Sequence, residues 1–197
     1  MRATDQPISA SAGLSAGIGL RLRELRAARG LSLSELARRS GVGKATLSGL
    51  EAGTRNPTLE TLYALTTALG LPLSAALPAP EPPAGEAAEE AAVSGQVLDA
   101  VLLERFEDAA AVSETYRIRI RPGGVQRSAA HPPGTVEHLV VLAGTALVGA
   151  GPELVEVGPG GHHTWAADVP HRYRAAARQE VAAVLVVRHP HRWPHES

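Results

Sequence analysis

At 197 residues and a formal net charge of −1, the chain has room for one large domain or two small ones. It contains no cysteine, which excludes disulfides, thiolate metal ligands and thiol nucleophiles. The near-zero charge hides a division: residues 18–77 carry eight basic and four acidic side chains, residues 78–96 carry four glutamates and no base, and residues 97–197 hold ten arginines, eleven acids and all eight histidines. A basic module is followed by an acidic spacer and then by a histidine-bearing module.

Residues 1–17 are rich in Ser, Ala and Gly, with no apolar core of the kind a signal peptide needs. They are expected to form a disordered arm. No run in the chain approaches the ~18 apolar residues of a membrane span, so a cytoplasmic protein without a membrane partner is expected. From Ile18 the apolar positions Ile18, Leu22, Leu25 and Ala28 share one helical face. Gly30 ends that helix, and Ser32 with Glu35 three residues on forms a capping box for a second, burying Leu36 and Ala37. After Gly41-Val42-Gly43, a third helix from Lys44 buries Leu47 and Leu50 and turns Lys44, Ala45, Ser48 and Gly49 outward. Thr58 caps a fourth helix with the stripe Leu59, Leu62, Leu65 and Leu69, and residues 73–77 make a closing turn. This segment, 18–77, is the expected helical domain.

Residues 78–96 combine prolines and glutamates with almost no large apolar side chain, the composition of an extended or flexible linker. The period then changes. Tyr116, Ile118 and Ile120 alternate with Arg117, Arg119 and Arg121 ahead of Pro122-Gly123-Gly124, the pattern of a half-buried strand. Further strands are expected at 137–142, 146–148, 154–157, 171–174 and 181–187. Many short strands separated by Gly and Pro turns imply a sandwich or barrel over 97–190. His162 and His163 read as a turn, and His189, His191 and His195 as part of a polar end, the tail proper being 191–197; none is assigned a role.

The helical segment resembles a known family. The run Leu22-Arg23-Glu24-Leu25-Arg26, then Gly30-Leu31-Ser32, Glu35-Leu36-Ala37, Gly41-Val42, Thr46-Leu47-Ser48, Glu51, Gly53, Asn56-Pro57 and Thr61-Leu62 is similar to the phage-repressor-like (XRE-type) helix-turn-helix proteins. The resemblance makes the Lys44 helix the recognition helix of the major groove and lays the Ser32 helix across the backbone. Lys44, Ala45 and Ser48 are then the expected readers of base edges, with Thr46, Arg55 and Asn56 on phosphate or sugar. Leu33 stands where the family has Gln, and Gly43 where it has a Ser or Thr cap, which removes one phosphate contact and weakens one cap. Glu51 is expected to brace the following loop.

The strand-rich segment resembles the cupins. Gly124, His131, Pro133, Glu137 and Gly144, then Gly158-Pro159-Gly160, Trp165 to Asp168 and Pro170-His171, follow the two cupin motifs. That family holds a divalent metal with His-x-His, Glu and a later His. Here His131, Glu137 and His171 match, while Pro133 replaces the second His. His138 cannot substitute, because neighbours on a strand face opposite sides. Three readings remain open at this point: a facial triad for Fe(II) or Mn(II), a metal-free pocket in which His131, Glu137, His171 and Tyr173 hold a small molecule, or a set of side chains that merely satisfy one another.

The expected fold is thus two domains, an N-terminal all-α helix-turn-helix bundle and a C-terminal all-β cupin barrel. The architecture implies a transcriptional regulator and not an enzyme: a homodimer binding a double-stranded operator, with a small-molecule effector in the barrel. The rival is a metal-dependent, dioxygenase-like cupin enzyme with a DNA anchor, disfavoured by the missing second histidine. A purely structural DNA binder with a degenerate barrel is a third reading. The helical and barrel domains are expected to fold separately.

Overall fold

A computed structural model describes residues 10–77 and 93–191. Residues 1–9, most of the expected linker (78–92) and residues 192–197 lie outside the described residues. No described helix is long and apolar enough to cross a membrane.

Helix α1 spans Ala10–Ala28, α2 Leu33–Ser40, α3 Lys44–Glu51 and α4 Leu59–Ala68, followed by a 3-10 turn at Leu73–Ala76. The cap residues are those the sequence signals: the Ser32 hydroxyl accepts from the Glu35 N–H at 3.1 Å, and the Thr58 hydroxyl accepts from the Thr61 N–H at 3.3 Å; the Glu35 carboxylate does not complete the expected capping box but takes Arg38 and Arg39. Gly41 closes α2 in the left-handed region at φ 70°, which a side chain with a Cβ rarely adopts. At Gly43 no side chain caps α3. Ile18, Leu22, Leu36, Leu47, Leu50, Leu62 and Leu65 fill the helical core.

Three expectations need correction in this half. Helix α1 begins at Ala10, so residues 10–17 are not a disordered arm; Ser15 is buried, and Ala16 lies against Gly53. Ala28, expected on the inward face, is exposed, because the α1 contact surface lies earlier in the helix. Glu51 does not brace its own loop. It takes a two-pronged bond from the Arg26 guanidinium, both arms at 2.7 Å, tying α1 to the end of α3. The reason α1 can lie so close to α3 is Gly19, where a Cβ would stand 2.1 Å from the Leu50 carbonyl oxygen.

Ten strands follow among the described residues: β1 Val93–Ser94, β2 Leu98–Glu107, β3 Ala111–Ile120, β4 Gln126–Ser128, β5 Val136–Ala143, β6 Ala146–Ala150, β7 Val155–Val157, β8 His162–Ala166, β9 His171–Ala175 and β10 Val181–Pro190. A six-stranded sheet runs β1-β2-β3-β10-β5-β8 and a four-stranded sheet β4-β9-β6-β7, antiparallel throughout. Their facing sides form the barrel interior, with Ile118, Ile120, Leu139, Val141, Val148, Val181 and Val187 in its core.

His162 and His163 are strand residues on β8 paired with Val140 and Leu139, not a turn, because Pro159-Gly160 completes the turn before them. His189 does not belong to a polar end. It continues the inward alternation Val181, Ala183, Leu185, Val187 on β10 and is 3 % exposed. Residue 191 is also held, its N–H donating to the Ala110 carbonyl at 3.0 Å. Val93 and Ser94, expected in the linker, pair with Ala100 and Asp99.

The two halves do not stand apart. Their buried residues form one continuous apolar cluster, and α4 with the 3-10 turn sits on the barrel. The Glu60 carboxylate accepts from the Gln96 N–H at 2.8 Å and from the Gln126 amide at 2.9 Å, while the Ser74 N–H donates to Glu114 at 3.1 Å.

Candidate functional site

The surface expected to face DNA is set by α3. Leu47 and Leu50 are buried, while Lys44, Ala45 and Ser48 on α3 and Arg55 and Asn56 beyond it are exposed and Thr46 is half-buried. The helix therefore turns to solvent the side chains expected to read bases. Arg55 lies back across α3, its stem within about 3 Å of where a Cβ on Gly49 would stand, which holds its guanidinium beside the recognition helix.

The second site lies inside the barrel. Glu137 enters from β5 in the six-stranded sheet, and His171 and Tyr173 enter from β9 in the four-stranded sheet, so the group bridges both walls. His131 sits in the loop before β5, anchored by its N–H to the Ala167 carbonyl at 2.9 Å. The alternation of β5 does what the sequence requires: Glu137 is 0 % exposed, and His138 points outward to the Thr164 hydroxyl at 2.9 Å.

His131 Nε2 lies 2.9 Å from Glu137 Oε1, and the Tyr173 hydroxyl donates to Glu137 Oε2. His171 Nδ1 lies 2.9 Å from the Val169 carbonyl, a contact that requires the proton on Nδ1 and leaves Nε2 bearing a lone pair in the neutral ring. That Nε2 is 3.4 Å from Glu137 Oε1 and makes no hydrogen bond. Burial alone would raise the Glu137 pKa, but the two imidazoles outweigh it and hold the carboxyl well below the usual carboxylate range. Burial alone would lower that of His171; the Glu137 carboxylate outweighs it and the net shift is upward.

The donor atoms of His131, Glu137 and His171 lie within 4.8 Å of one another, and all three residues are buried. Two imidazoles and one carboxylate, with His171 Nε2 facing the carboxylate without a hydrogen bond and its Nδ1 fixed to a backbone carbonyl, fit a divalent cation. Such an ion would supply Lewis acidity at that point. Pro133, in the position of the missing histidine, is exposed and contributes nothing to the interior.

Three neighbours were missed in the sequence. His189 lies 5.9 Å from His131 ring to ring, its Nδ1 is 3.2 Å from the Thr135 hydroxyl, and its Nε2 is 3.6 Å from Glu114. Glu114 also accepts from the Tyr116 hydroxyl at 2.6 Å. Both were readable, since Glu114 precedes Tyr116, Ile118 and Ile120 on the inward face of β3, and His189 extends that of β10. Tyr63 from α4 was not readable in the same way; its ring centroid is 4.8 Å from that of His131, a contact between segments far apart in the chain.

A helix-turn-helix whose recognition helix is free on one side, seated on a cupin barrel with a buried His-Glu-His group, defines a class: DNA-binding transcriptional regulators of XRE type with a C-terminal cupin domain. The helix-turn-helix family model HTH_3 matches residues 22–75. Across nearly the whole chain, the HTH-type transcriptional regulator SutR of Escherichia coli (strain K12) is 31% identical over 170 residues, covering 86% of this chain and 93% of that one. The crystal structure of an HTH_3 family transcriptional regulator from Vibrio cholerae superposes with a TM-score of 0.76 at 25% identity, covering 91% of this chain and 99% of that one. An uncharacterized HTH-type transcriptional regulator, y4dJ of Sinorhizobium fredii (strain NBRC 101917 / NGR234), is 46% identical over 54 residues, 27% of this chain and 70% of its own. The chain belongs to the HTH-type transcriptional regulators.

Proposed function

We propose that the protein is a one-component regulator: a homodimer that binds an inverted-repeat operator through α3 and responds to a small molecule held in the barrel. Lys44, Ala45 and Ser48 read base edges, Thr46, Arg55 and Asn56 hold the phosphate backbone, and His131, Glu137, His171 and Tyr173 are the polar contacts of the effector. The observation that carries the reading is the seating of a DNA-binding fold directly over a buried polar group, an arrangement that gives a bound molecule a physical route to the recognition helix. No catalytic role is assigned to this group, in which His131 and Tyr173 hold the two Glu137 oxygens. A second reading, a divalent cation on His131, Glu137 and His171, is favoured by the Nε2 of His171, which faces Glu137 at 3.4 Å without a hydrogen bond.

Selecting bound duplexes from a random pool tests the first part. The expected product is an inverted repeat with half-sites about 34 Å apart, bound by a dimer; no enriched sequence, or a monomer on and off DNA in sedimentation, overturns it. A thermal-shift screen of metabolites and divalent metals tests the second, since a ligand at ~100 times its Kd stabilises by ~2.7 kcal/mol. Metal analysis of untagged protein separates the two barrel readings.

A further inference from the structure

Helix α4 serves both domains. Leu62 and Leu65 close the helical core, while Leu59 and Tyr63 line a barrel cavity together with Tyr116, Ser128, Tyr173 and Leu185. Tyr63 forms part of its wall, and beside the ring the cavity has space for about one water molecule, too little for a metabolite. The ring leans on His131 at 4.8 Å and 60°. Burial, with the Glu137 and Glu114 carboxylates nearby, raises the phenol pKa well above its ordinary value, so the group stays a neutral hydroxyl at any physiological pH.

The seat around Tyr63 has a polar frame. Glu60 is bonded to Gln96 and Gln126, and Ser74 to Glu114. These polar contacts between domains resemble those of a transient interface, and they frame the apolar cluster that the two halves share, so leaving the seat exposes apolar surface as well. Behind the seat the path to DNA is short: α4 packs on α2, and α2 packs on α3.

We propose that Tyr63 is a tethered stand-in for the effector, and that the effector is a compact, mainly apolar molecule of about the size of a phenol, with a hydrogen-bonding group for the His131-Glu137 pair. The proposal rests on the reading of the barrel as the effector site of a DNA-binding regulator. Entry of the molecule displaces the Tyr63 ring, and α4 leaves its seat with the recognition helix attached. The docked arrangement is the operator-binding one, because it fixes each recognition helix relative to its barrel before DNA is met. Undocking adds an ordering cost to binding.

The test uses the full-length protein, wild type and Tyr63→Ala, with p-cresol as the probe because it reproduces the tyrosine side chain. Tyr63→Ala should bind p-cresol at least tenfold more tightly than wild type in calorimetry, the place of the ring being free. It should bind the selected operator roughly 5- to 150-fold more weakly, the usual span of allosteric coupling, and p-cresol should not change that further. In wild type, p-cresol at high concentration should weaken operator binding. The amides of Ser74 and Gln96, which donate across the seat, should exchange faster in Tyr63→Ala and in wild type with p-cresol. Tyr63→Leu, which keeps apolar bulk, should move operator affinity and exchange in the same direction and covers the case in which Tyr63→Ala does not fold. Wild-type operator affinity and amide protection in both variants would overturn the proposal, as would equal p-cresol affinity in wild type and Tyr63→Ala. If wild type selects no operator at all, the underlying reading of a DNA-binding regulator fails instead, and the two failures are told apart by that measurement.

Discussion

An alanine at Gly19 should separate two helices that now touch backbone to backbone. Its Cβ would fall 2.1 Å from the Leu50 carbonyl oxygen and 3.1 Å from the carbonyl carbon, and a backbone group cannot swing aside as a side-chain end can. Overpacking of this kind costs about 1–3 kcal/mol, and the rigid neighbour argues for about 3. Alanine recovers ~1 kcal/mol of helix propensity relative to glycine, leaving a net loss of about 2 kcal/mol. Gly17, two residues earlier in the same helix, has nothing within 4 Å of its own notional Cβ, so Gly17→Ala should gain the propensity without the clash, about 1 kcal/mol. At ~3 °C per kcal/mol for a chain of this size, circular-dichroism melts should show Tm down by about 6 °C for Gly19→Ala and up by about 3 °C for Gly17→Ala. Because Leu50 belongs to α3, Gly19→Ala should also weaken operator binding. A Gly19→Ala protein that melts at or above the wild-type temperature and binds operator normally would refute the close approach of α1 to α3.

Replacing Ser48 or Lys44 by Ala should relax preference at particular operator positions by roughly 1–3 kcal/mol, whereas Arg55→Ala should weaken binding to all duplexes and reduce the salt slope by about one unit; titrations on matched and mismatched duplexes at several salt concentrations separate the classes. Glu51→Ala leaves Arg26 without its partner beneath the recognition helix and should cost about 3 kcal/mol in urea unfolding, with Arg26→Ala costing a similar amount and the double variant less than the sum. Burial would raise the Glu114 pKa, but His189, the Ser74 N–H and the Tyr116 hydroxyl outweigh it and the folded value lies below the ordinary 4.5. A depressed carboxyl contributes stability above its unfolded pKa and loses it as pH falls through the folded one, so wild type should lose stability below pH 4.5 more steeply than Glu114→Gln. Parallel acid limbs would show that Glu114 is not held by these partners.

What could be read in advance depended on how local the signal was. The Ser32 cap of α2, the Gly41 stop and the inward pair Leu47 and Leu50 are set by residues within one or two turns, and they appear as the sequence implies, whereas the return arm of the capping box is replaced by bonds from Arg38 and Arg39 to the Glu35 carboxylate. So does the opposite facing of Glu137 and His138, which period-two geometry dictates. Strand β2 went unread because its second half, from Leu103 to Glu107, is exposed throughout and shows no alternation. Helix α1 ran seven residues further back than Gly17 because small residues in a Ser/Ala/Gly stretch also suit a close helix crossing, a pairing visible only once Gly53 and Leu50 are placed opposite. Tyr63 is the clearest limit: its helical neighbours describe a bundle, and nothing near it in the chain describes the barrel it enters.

The position of β10 also has a consequence for how the protein is made. This strand pairs with β3 on one side and β5 on the other, joining the first part of the large sheet to the second, yet it follows every other described strand. On a ribosome, the helices can form as soon as they emerge, whereas the barrel cannot close until its final strand is released. The newborn DNA-binding fold therefore spends an interval without its seat, and Leu59 and Tyr63 face solvent or a chaperone during that time. Premature termination within β10 would extend that interval indefinitely, yielding a folded DNA-binding head on an open, aggregation-prone sheet with unpaired edges at β3 and β5.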